Sequence, residues 1–393
     1  MRVAVVAEFY PRAADRVLGV WAHRQALAAR AAGAEVRVLV LHRPVPPRAT
    51  ATRDVLGVVR RLAAQPRHDE LDGVEVEYVP FLAPPRPGSY GSWGAWAAPT
   101  LAVALRRLRR RFPFDLVHAH NAVPAADAVL RARVGVPLVI SVHGGDVFHT
   151  APRHPAGERA VRRAFGEARL VLANSAGIEA ACRKLGAART RVVRLGTDVP
   201  PASSLRRDGA RLVTVGHLIG RKRHGDVLRA LWLLRDRHPE LRYLVIGDGP
   251  EREPLARLAA ELGVADRVEL AGQLDHPVAL ARARECSVFV MPSVDEAFGV
   301  AYVEAMAAGV PAIASRGEPG PQEIALAGDG LRLVPPGDVE ALAAELHALL
   351  DEPAWLHDLG ARARATVERS FTWERCGEAT VAAYEDALRG ASA

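Results

Sequence analysis

Two glutamates near residue 300 have the type and spacing to hold a phosphorylated ligand. Glu296 and Glu304 are eight positions apart in residues 292–311, whose sequence is PSVDEAFGVAYVEAMAAGVP. The turn between them is formed by Ala297, Phe298, Gly299 and Val300. Such a turn places backbone N–H groups at the start of a helix, where phosphate binds. Glu296 and Glu304 can then accept hydrogen bonds from hydroxyls on either side of the phosphate, which predicts a site for a sugar, a diphosphate and a ribose. The alternative is that Asp295 and Glu296 only complement the helix dipole and Glu304 is solvated.

A strand and a helix are expected to position these carboxylates. Residues 286–291 (CSVFVM) form a short apolar run that is typical of a buried strand in a parallel sheet. Residues 300–308 are rich in Ala and predict a helix. Gly309 stands where a helix often ends, and Pro311 follows where the helix can no longer continue. The segment is therefore strand, turn and helix.

The full pattern PS-x-x-E-x-F-G-x-x-x-x-E-A-M-A-x-G-x-P closely resembles the family 4 retaining glycosyltransferases. The resemblance covers essentially the whole chain and is strongest after residue 210. It implies an α/β protein of GT-B fold, with two Rossmann-like α/β/α domains that face each other across a cleft. It also implies transfer of a sugar, with retention of anomeric configuration, from a nucleoside diphosphate sugar to a hydroxyl acceptor. We expect a UDP-sugar as donor, in cell-envelope polysaccharide or glycolipid synthesis or in metabolite glycosylation.

Length and composition agree with a two-domain globular enzyme. A chain of 393 residues can form two domains with separate cores. No apolar run has the length of a membrane span, and residues 1–10 are too short for a signal peptide and contain Glu8, so we predict a cytoplasmic protein. Its three cysteines are widely separated, which predicts neither a disulfide framework nor a C-x-x-C metal site.

The net charge of +7 comes almost entirely from arginine, because lysine occurs only at Lys184 and Lys222. Residues 106–111 (RRLRRR) end a predicted helix. The apolar face of that helix is expected to contain Leu101, Val103, Leu105 and Leu108. Peripheral contact with an anionic membrane at its inner face and a solvated helix face both remain open. Nucleic-acid binding is not expected, because no aromatic residues interleave the charges.

The first half of the chain opens as a nucleotide-binding α/β unit. Residues 3–7 predict a buried strand and residues 19–30 a helix, with a long loop between them. The resemblance implies that this loop covers the donor diphosphate through a glycine, here Gly19. Residues 43–72 and 83–94 are rich in Pro and lack a regular pattern, so we predict loops that choose the acceptor.

Three histidines lie at or after predicted strands of this half. Residues 137–142 predict a buried strand that delivers His143 to the carboxyl end of the sheet, and the resemblance makes His143 the active-site histidine near the reacting sugar. His118 and His120 are two apart on the predicted strand 115–120 and share a face. A metal pair is one interpretation, but a hydrogen-bonded structural role is favoured because no third ligand is evident.

A polar, proline-rich stretch predicts the domain boundary near residue 203. It contains Pro200, Pro201, Ser203 and Ser204. We predict an acceptor-binding Rossmann-like domain at 1–202 and a nucleotide-sugar-binding one at 203–370. The resemblance implies that residues 371–393 form a last helix crossing back to the first domain.

The resemblance assigns donor-binding residues in the second domain. It places an Arg directly after Gly216 and a Lys five residues later, both aimed at the diphosphate. Lys222 fits this pattern, whereas His217 replaces the Arg, and Arg221 or Arg223 could compensate.

The same resemblance gives roles to the remaining donor-site residues. Gly272 and Gln273 would border the nucleotide base, Glu296 would orient the sugar hydroxyls, and Glu304 would bind the ribose.

The expected catalytic residues are His143, Lys222 and Glu296. No cofactor and no metal are expected, because cationic side chains and a helix dipole neutralise the diphosphate, and the chain has no D-x-D sequence. A nucleotide-sugar epimerase on the same architecture and a catalytically silent carbohydrate-binding scaffold are the alternatives. A pyridoxal phosphate-dependent phosphorylase is disfavoured, because Lys184 is poorly placed and Lys222 is otherwise used.

Overall fold

The computed structural model describes residues 1–44, 60, 63–201 and 210–389, without the side chain of Pro87. The chain forms two compact units, Met1–Leu195 with Trp373–Ala393, and Gly196–Thr372. The predicted boundary at residue 203 lies outside the described residues. The chain enters the second unit a few residues earlier, because the backbone N–H of Thr197 donates to the carbonyl of Phe371 at 2.9 Å.

An eight-stranded sheet forms the centre of the first unit. Its strands are β1 (Arg2–Ala7), β2 (Glu35–His42), β3 (His68–Leu71), β4 (Val74–Pro80), β5 (Leu116–His120), β6 (Leu138–Val142), β7 (Leu170–Ala173) and β8 (Thr190–Val192). The order is β3-β4-β2-β1-β5-β6-β7-β8. Only the pairing of β3 with β4 is antiparallel among these described strands. The central strands are apolar runs because helices can cover both faces of a parallel sheet.

Helices follow most of these strands. They are α1 (Val20–Ala31), α2 (Arg86–Ser89), α3 (Trp93–Arg111), α4 (Asp127–Ala132), α5 (Ala151–Arg153), α6 (Pro155–Glu167), α7 (Ala176–Lys184) and the last helix of the chain, Trp373–Arg389. Single helical turns lie at Tyr90–Ser92, Ala122–Ala126 and Asp146–Thr150. Ser175 caps α7, since its side chain accepts a hydrogen bond from the N–H of Ile178 at 3.4 Å.

The second unit contains a six-stranded parallel sheet. Its strands are β9 (Arg211–Val215), β10 (Arg242–Ile246), β11 (Val268–Gly272), β12 (Val288–Met291), β13 (Ala312–Ser315) and β14 (Leu331–Val334), in the order β11-β10-β9-β12-β13-β14. The helices are α8 (His224–Leu233), α9 (Arg252–Glu261), α10 (His276–Arg284), α11 (Val300–Ala307), α12 (Pro319–Ala327), α13 (Val339–Asp351) and α14 (Pro353–Ser370), which makes Trp373–Arg389 α15. Short 3₁₀ turns lie at Gly220–Lys222 and Ala265–Arg267.

Each sheet reverses its strand order beside its first strand. In the first unit the chain builds outward from β1 to β2 and β4, then returns to β5 on the other side of β1. In the second unit it builds from β9 to β10 and β11, then returns to β12 beside β9. Loops after the two strands at such a reversal separate and leave a crevice, which is where ligands bind in open α/β sheets.

Three predictions about the first half need correction. Residues 43–72 are not loop throughout, because β3 forms an antiparallel edge strand at their end. Residues 83–94 are largely helical rather than loop, since α2, a 3₁₀ turn and the start of α3 occupy them. Val103 is 60% exposed and does not belong to the apolar face of α3.

The described helices include none with both the length and the apolar character needed to span a bilayer. In the basic cluster of α3, Arg107 and Arg111 pair with the buried Glu77 of β4. Part of the cluster therefore anchors the helix to the sheet.

Candidate active site

A buried ion pair joins the two loops that separate at the strand reversal of the second unit. Lys222 follows β9, and its ammonium lies 2.6 Å from a carboxylate oxygen of Glu296, which follows β12. The two side chains are only 11% and 10% exposed. The hydroxyl of Ser293 donates to the same oxygen at 3.0 Å. Sequence reasoning predicted Lys222 and Glu296 separately, and the structure brings them into direct contact.

Burial and pairing have opposing effects on the pKa values of these two residues. Burial lowers the pKa of Lys222, and the attraction of Glu296 offsets that lowering only in part. Burial alone would raise the pKa of Glu296, but Lys222 and then Arg221 hold it below its usual value. Arg221 lies 3.8 Å from the Glu296 carboxylate. The site thus combines two cationic groups with two carboxylates, those of Glu296 and Glu318.

The turn between β12 and α11 is fixed by close packing around glycine. Gly299 precedes α11 with a φ of 91°. A Cβ at this position would lie 2.2 Å from the ring of Tyr302, so only glycine fits. Gly320 of α12 touches the backbone of Phe298 so closely that an added Cβ would lie 2.3 Å from its Cα. The turn of Ala297, Phe298, Gly299 and Val300 therefore presents the start of α11 in one conformation.

Two further acidic residues, Glu318 and Glu304, make contacts at the site that the sequence did not predict. The carboxylate of Glu318 accepts the backbone N–H of Glu296 at 2.8 Å, and no sequence signal identified it. Glu304 lies on α11, where its carboxylate is 2.8 Å from Nε2 of His276 at the start of α10. Contact with His276 fixes the position of Glu304, while 41% of the His276 side chain remains exposed.

The remaining predicted donor residues lie at the same edge of this sheet. Gly216 directly follows β9, and a Cβ there would meet the Lys222 side chain at 3.8 Å. His217 is exposed, and its carbonyl rather than its ring meets His224, at 3.4 Å. Gly272 ends β11, two strands from β9, and Gln273 follows it at the surface.

The two arginines proposed as substitutes for the missing Arg behave differently. The guanidinium of Arg221 also donates to the carbonyl of Asp295 at 3.3 Å, so it stays beside the ion pair. Arg223 instead binds Asp226 at 2.5 Å on the first turn of α8. Arg221 is therefore the residue positioned to supply the charge that His217 does not.

A chain of three histidines occupies the carboxyl ends of β5 and β6 in the first unit. Nδ1 of His120 lies 2.9 Å from Nε2 of His143, and the two rings stack. His118 lies 2.7 Å from the hydroxyl of Tyr384 and 2.8 Å from that of Ser141. Hydrogen bonding to Tyr384 and Ser141 supports the structural interpretation of His118. Nδ1 of His143 is buried and has no hydrogen-bond partner among the described residues.

Burial makes this histidine chain neutral. It lowers the pKa of His118 to about 3 and that of His143 to about 4, and it lowers the pKa of His120 well below its usual value. His143 can therefore donate or accept a hydrogen bond at neutral pH without adding positive charge.

The first unit contains a second polar cluster at its strand reversal. Glu8 directly follows β1 and is 7% exposed. Its carboxylate accepts the hydroxyl of Tyr90 at 2.6 Å and lies 3.6 Å from Arg86. Sequence reasoning used Glu8 only to argue against a signal peptide, because its partners are about eighty residues away. Gly19 begins α1 with a φ of 66° and packs against the backbone of Phe9.

The fold and this site define a GT-B α/β protein with a buried Lys222–Glu296 ion pair at the strand reversal of its second unit. Residues 18–199 match the family described as Glycosyltransferase Family 4, and residues 198–366 match Glycosyl transferases group 1. The 2-deoxystreptamine glucosyltransferase of Streptomyces kanamyceticus is 32% identical over 65% of this chain and 73% of its own length. The glycogen synthase of Mycobacterium tuberculosis is 29% identical over 99% of this chain and 96% of its own. The chain belongs to the family 4 glycosyltransferases and is a glycosyltransferase.

Solved structures agree with the fold. Sucrose-phosphate synthase of Thermosynechococcus elongatus superposes with a TM-score of 0.80 at 22% identity and covers 99% of this chain and 100% of its own. HepE of Anabaena in complex with UDP-glucose gives a TM-score of 0.70 at 19% identity, with 100% of both chains covered.

Proposed function

We propose that this enzyme transfers a sugar from a nucleoside diphosphate sugar to a hydroxyl acceptor with retention of anomeric configuration. The observation that carries the proposal is the buried Lys222–Glu296 pair at the strand reversal of the second sheet. A buried ion pair usually costs more than it contributes to folding, so it suits a site where a ligand completes the charge balance. A diphosphate that binds beside Lys222 and Arg221 completes this charge balance.

The second unit is proposed to bind the donor through both its cationic and its acidic groups. Lys222, Arg221 and the N–H groups at the start of α11 neutralise the charge that develops on the departing diphosphate. Glu296 accepts hydrogen bonds from the sugar hydroxyls while it holds Lys222 in place. Glu304 exchanges its contact with His276 for the ribose hydroxyls. No metal is needed in this scheme.

His143 is proposed to hydrogen-bond the transferred sugar in its neutral form. The transition state of glycosyl transfer carries positive charge on the sugar ring, so a histidinium near it would be unfavourable. A pKa of about 4 avoids that repulsion at neutral pH. The departing diphosphate is proposed to accept the acceptor's proton. In a complex with a donor analogue and acceptor, a protein carboxylate hydrogen-bonded to the acceptor hydroxyl would contradict this step.

Acceptor recognition is assigned to the first unit, where Glu8 is proposed to bind a hydroxyl of the acceptor other than the one that attacks the sugar. Burial raises the pKa of Glu8, and Arg86 and Tyr90 oppose that rise. The acceptor remains a hydroxyl compound of the cell envelope or a small metabolite.

The nucleotide is proposed to be uridine diphosphate, which the HepE complex contains. We propose a cytoplasmic location. Membrane contact through α3 would rest on Arg106 and Arg110, since Arg107 and Arg111 bind Glu77.

Thermal unfolding with a panel of UDP-, GDP-, ADP- and TDP-sugars tests the donor assignment. A ligand at about a hundredfold its Kd stabilises the folded state by about 2.7 kcal/mol. For a unit of this size the midpoint then rises by about 5–10 °C. We expect one nucleotide to give this shift and Glu304→Ala to abolish it. If no nucleotide shifts the midpoint, the donor site is wrong and a silent scaffold is favoured.

The same donor then tests the reaction. NMR of the product should show the anomeric configuration of the donor sugar, whereas an inverted product would contradict the mechanism. Release of nucleotide with an epimerised sugar and no acceptor would identify an epimerase instead.

A further inference from the structure

A cluster of two histidines and an aspartate lies on the second unit, away from the strand reversal. His238 is in the turn after α8, and His347 and Asp351 are one helical turn apart on α13. Residues four apart on a helix share a face, so His347 and Asp351 both point towards the turn that holds His238. None of the three has a role in the proposed transfer reaction.

The ligand atoms of the three side chains converge. Nε2 of His238 is 2.9 Å from Nδ1 of His347 and 3.9 Å from a carboxylate oxygen of Asp351. One ligand atom from each residue lies within 4.8 Å of the other two. Ligands about 2.0–2.1 Å from a tetrahedral zinc ion are roughly 3.3 Å apart, so small side-chain rotations are enough to place all three around one ion.

The surroundings favour a ligand site over an accidental surface contact. The His238 side chain is only 12% exposed, so its contact with His347 lies within the fold and not at the open surface. Asp351 is 60% exposed, which gives an ion a path from solvent and leaves room for a water ligand.

We propose that His238, His347 and Asp351 bind one divalent transition-metal ion, with zinc as the ion best suited to them. Two imidazoles and a carboxylate select zinc and its neighbours over magnesium or calcium, which prefer oxygen ligands. Three protein ligands with an open fourth position give the coordination expected for such an ion.

The ion would connect two helices that already share a core. Leu234 at the end of α8 and Leu346 of α13 are buried in one apolar cluster. The backbone N–H of His238 donates to the carbonyl of Leu234 at 2.8 Å, which holds the turn against the end of α8. A bound ion fastens this turn to α13 and stabilises the second unit.

Calorimetric titration of the untagged, chelator-treated full chain with zinc tests this site. We expect one equivalent to bind, and we expect magnesium at the same concentration not to bind. Cobalt substituted for zinc should give the absorption bands of a tetrahedral ion. His347→Asn should weaken zinc binding by about 100-fold or more, because even the loss of a residue that supports a metal ligand costs 10–100-fold.

His357→Asn is the matched control, since His357 is exposed on the next helix, α14. We expect it to bind zinc as the unchanged chain does, and both variants to unfold at the same temperature when metal is absent. Absence of zinc binding, or equal binding by His347→Asn, would overturn the proposal.

Discussion

At the scale of single residues, the chemistry depends on which buried side chains carry a charge. The second unit pairs a buried lysine with a buried glutamate, whereas the first unit keeps three adjacent histidines neutral. Both arrangements destabilise the fold relative to an apolar core, because buried polar groups must be desolvated.

The histidine chain predicts a loss of stability in mild acid. The folded-state pKa of His143, about 4, lies below its unfolded value, so the unfolded chain binds more protons between about pH 4 and 6.5. Stability must then fall as the pH falls through this range, by about 2 kcal/mol at pH 5 for a single histidine. Burial raises the pKa of Asp146 to about 6, so this carboxyl binds more protons in the folded state than in the unfolded state. Its protonation therefore increases the free energy of unfolding by about 1 kcal/mol between pH 7.5 and pH 5 and offsets part of the loss.

Urea unfolding at pH 7.5 and pH 5 measures the effect. His143→Asn should reduce the difference in free energy of unfolding between the two pH values by about 2 kcal/mol. His68→Asn, at an exposed histidine of β3, is the control and should leave the difference unchanged. Equal pH dependence in both variants would show that folding does not lower the pKa of His143.

Arg221 is predicted to replace the arginine that the family places at position 217. It lies 3.8 Å from Glu296, whereas Arg223 is held by Asp226. Arg221→Gln should raise the KM for the donor and lower kcat/KM by about 10–100-fold, because a charged hydrogen bond to the diphosphate contributes about 1.5–3 kcal/mol. Arg223→Gln should change kcat/KM by less than about threefold, in keeping with the small contribution of exposed ion pairs. Comparable losses of kcat/KM in both variants would show that Arg221 contributes no more to donor binding than Arg223 does.

At the scale of elements, the turn before α11 determines where the backbone N–H groups at the start of this helix lie. Gly299 and Gly263 both have positive φ, at 91° and 69°, but only Gly299 is crowded by a neighbouring ring. Both Gly→Ala changes impose the left-handed backbone strain of about 1–2 kcal/mol. Gly299→Ala adds a clash with Tyr302 that must displace the turn.

Donor titrations of Gly299→Ala and Gly263→Ala separate strain from displacement. We expect Gly263→Ala to bind the donor normally and Gly299→Ala to bind it at least about tenfold more weakly, since the N–H groups of α11 no longer meet the phosphate. Unchanged donor affinity in Gly299→Ala would show that the turn does not contact the diphosphate.

Elements with strong local patterns were predicted from the sequence. β1, β6 and β12 are apolar runs because both faces of a parallel sheet are covered, and these strands were found where expected. β3 was missed because its sequence, HDEL, is polar, as an antiparallel edge strand can be. Contacts between distant residues were missed for a different reason. Glu304 and His276 are 28 positions apart, and only the packing of α10 near α11 brings them together.

At the scale of the whole molecule, the chain returns to complete its first unit. α15 packs along α1, where Gly377 meets the backbone of Ala28 so closely that a Cβ would lie 2.2 Å from its carbonyl oxygen. Tyr384 on the same helix is buried against His118. The first unit therefore cannot finish folding until the last residues of the chain are available.

Tyr384→Phe tests this dependence. It leaves Nδ1 of His118 without its partner, so we expect the first unit to lose about 1–3 kcal/mol of stability. UDP affinity should not change, since Lys222 and Glu296 belong to the other unit. A loss of UDP affinity larger than the loss of stability would contradict the assignment of the diphosphate to the second unit.

The most direct test of the account is calorimetric titration of UDP into three variants. Lys222→Met should weaken binding by about 100-fold or more, because it removes a buried cation aimed at the diphosphate. Lys184→Met, at the only other lysine of the chain, should bind UDP normally. Lys222→Met combined with Glu296→Gln avoids an unpaired buried carboxylate, so it should regain stability but not affinity. Wild-type affinity in Lys222→Met, for UDP and for every other nucleoside diphosphate, would contradict the assignment of this ion pair as the donor site.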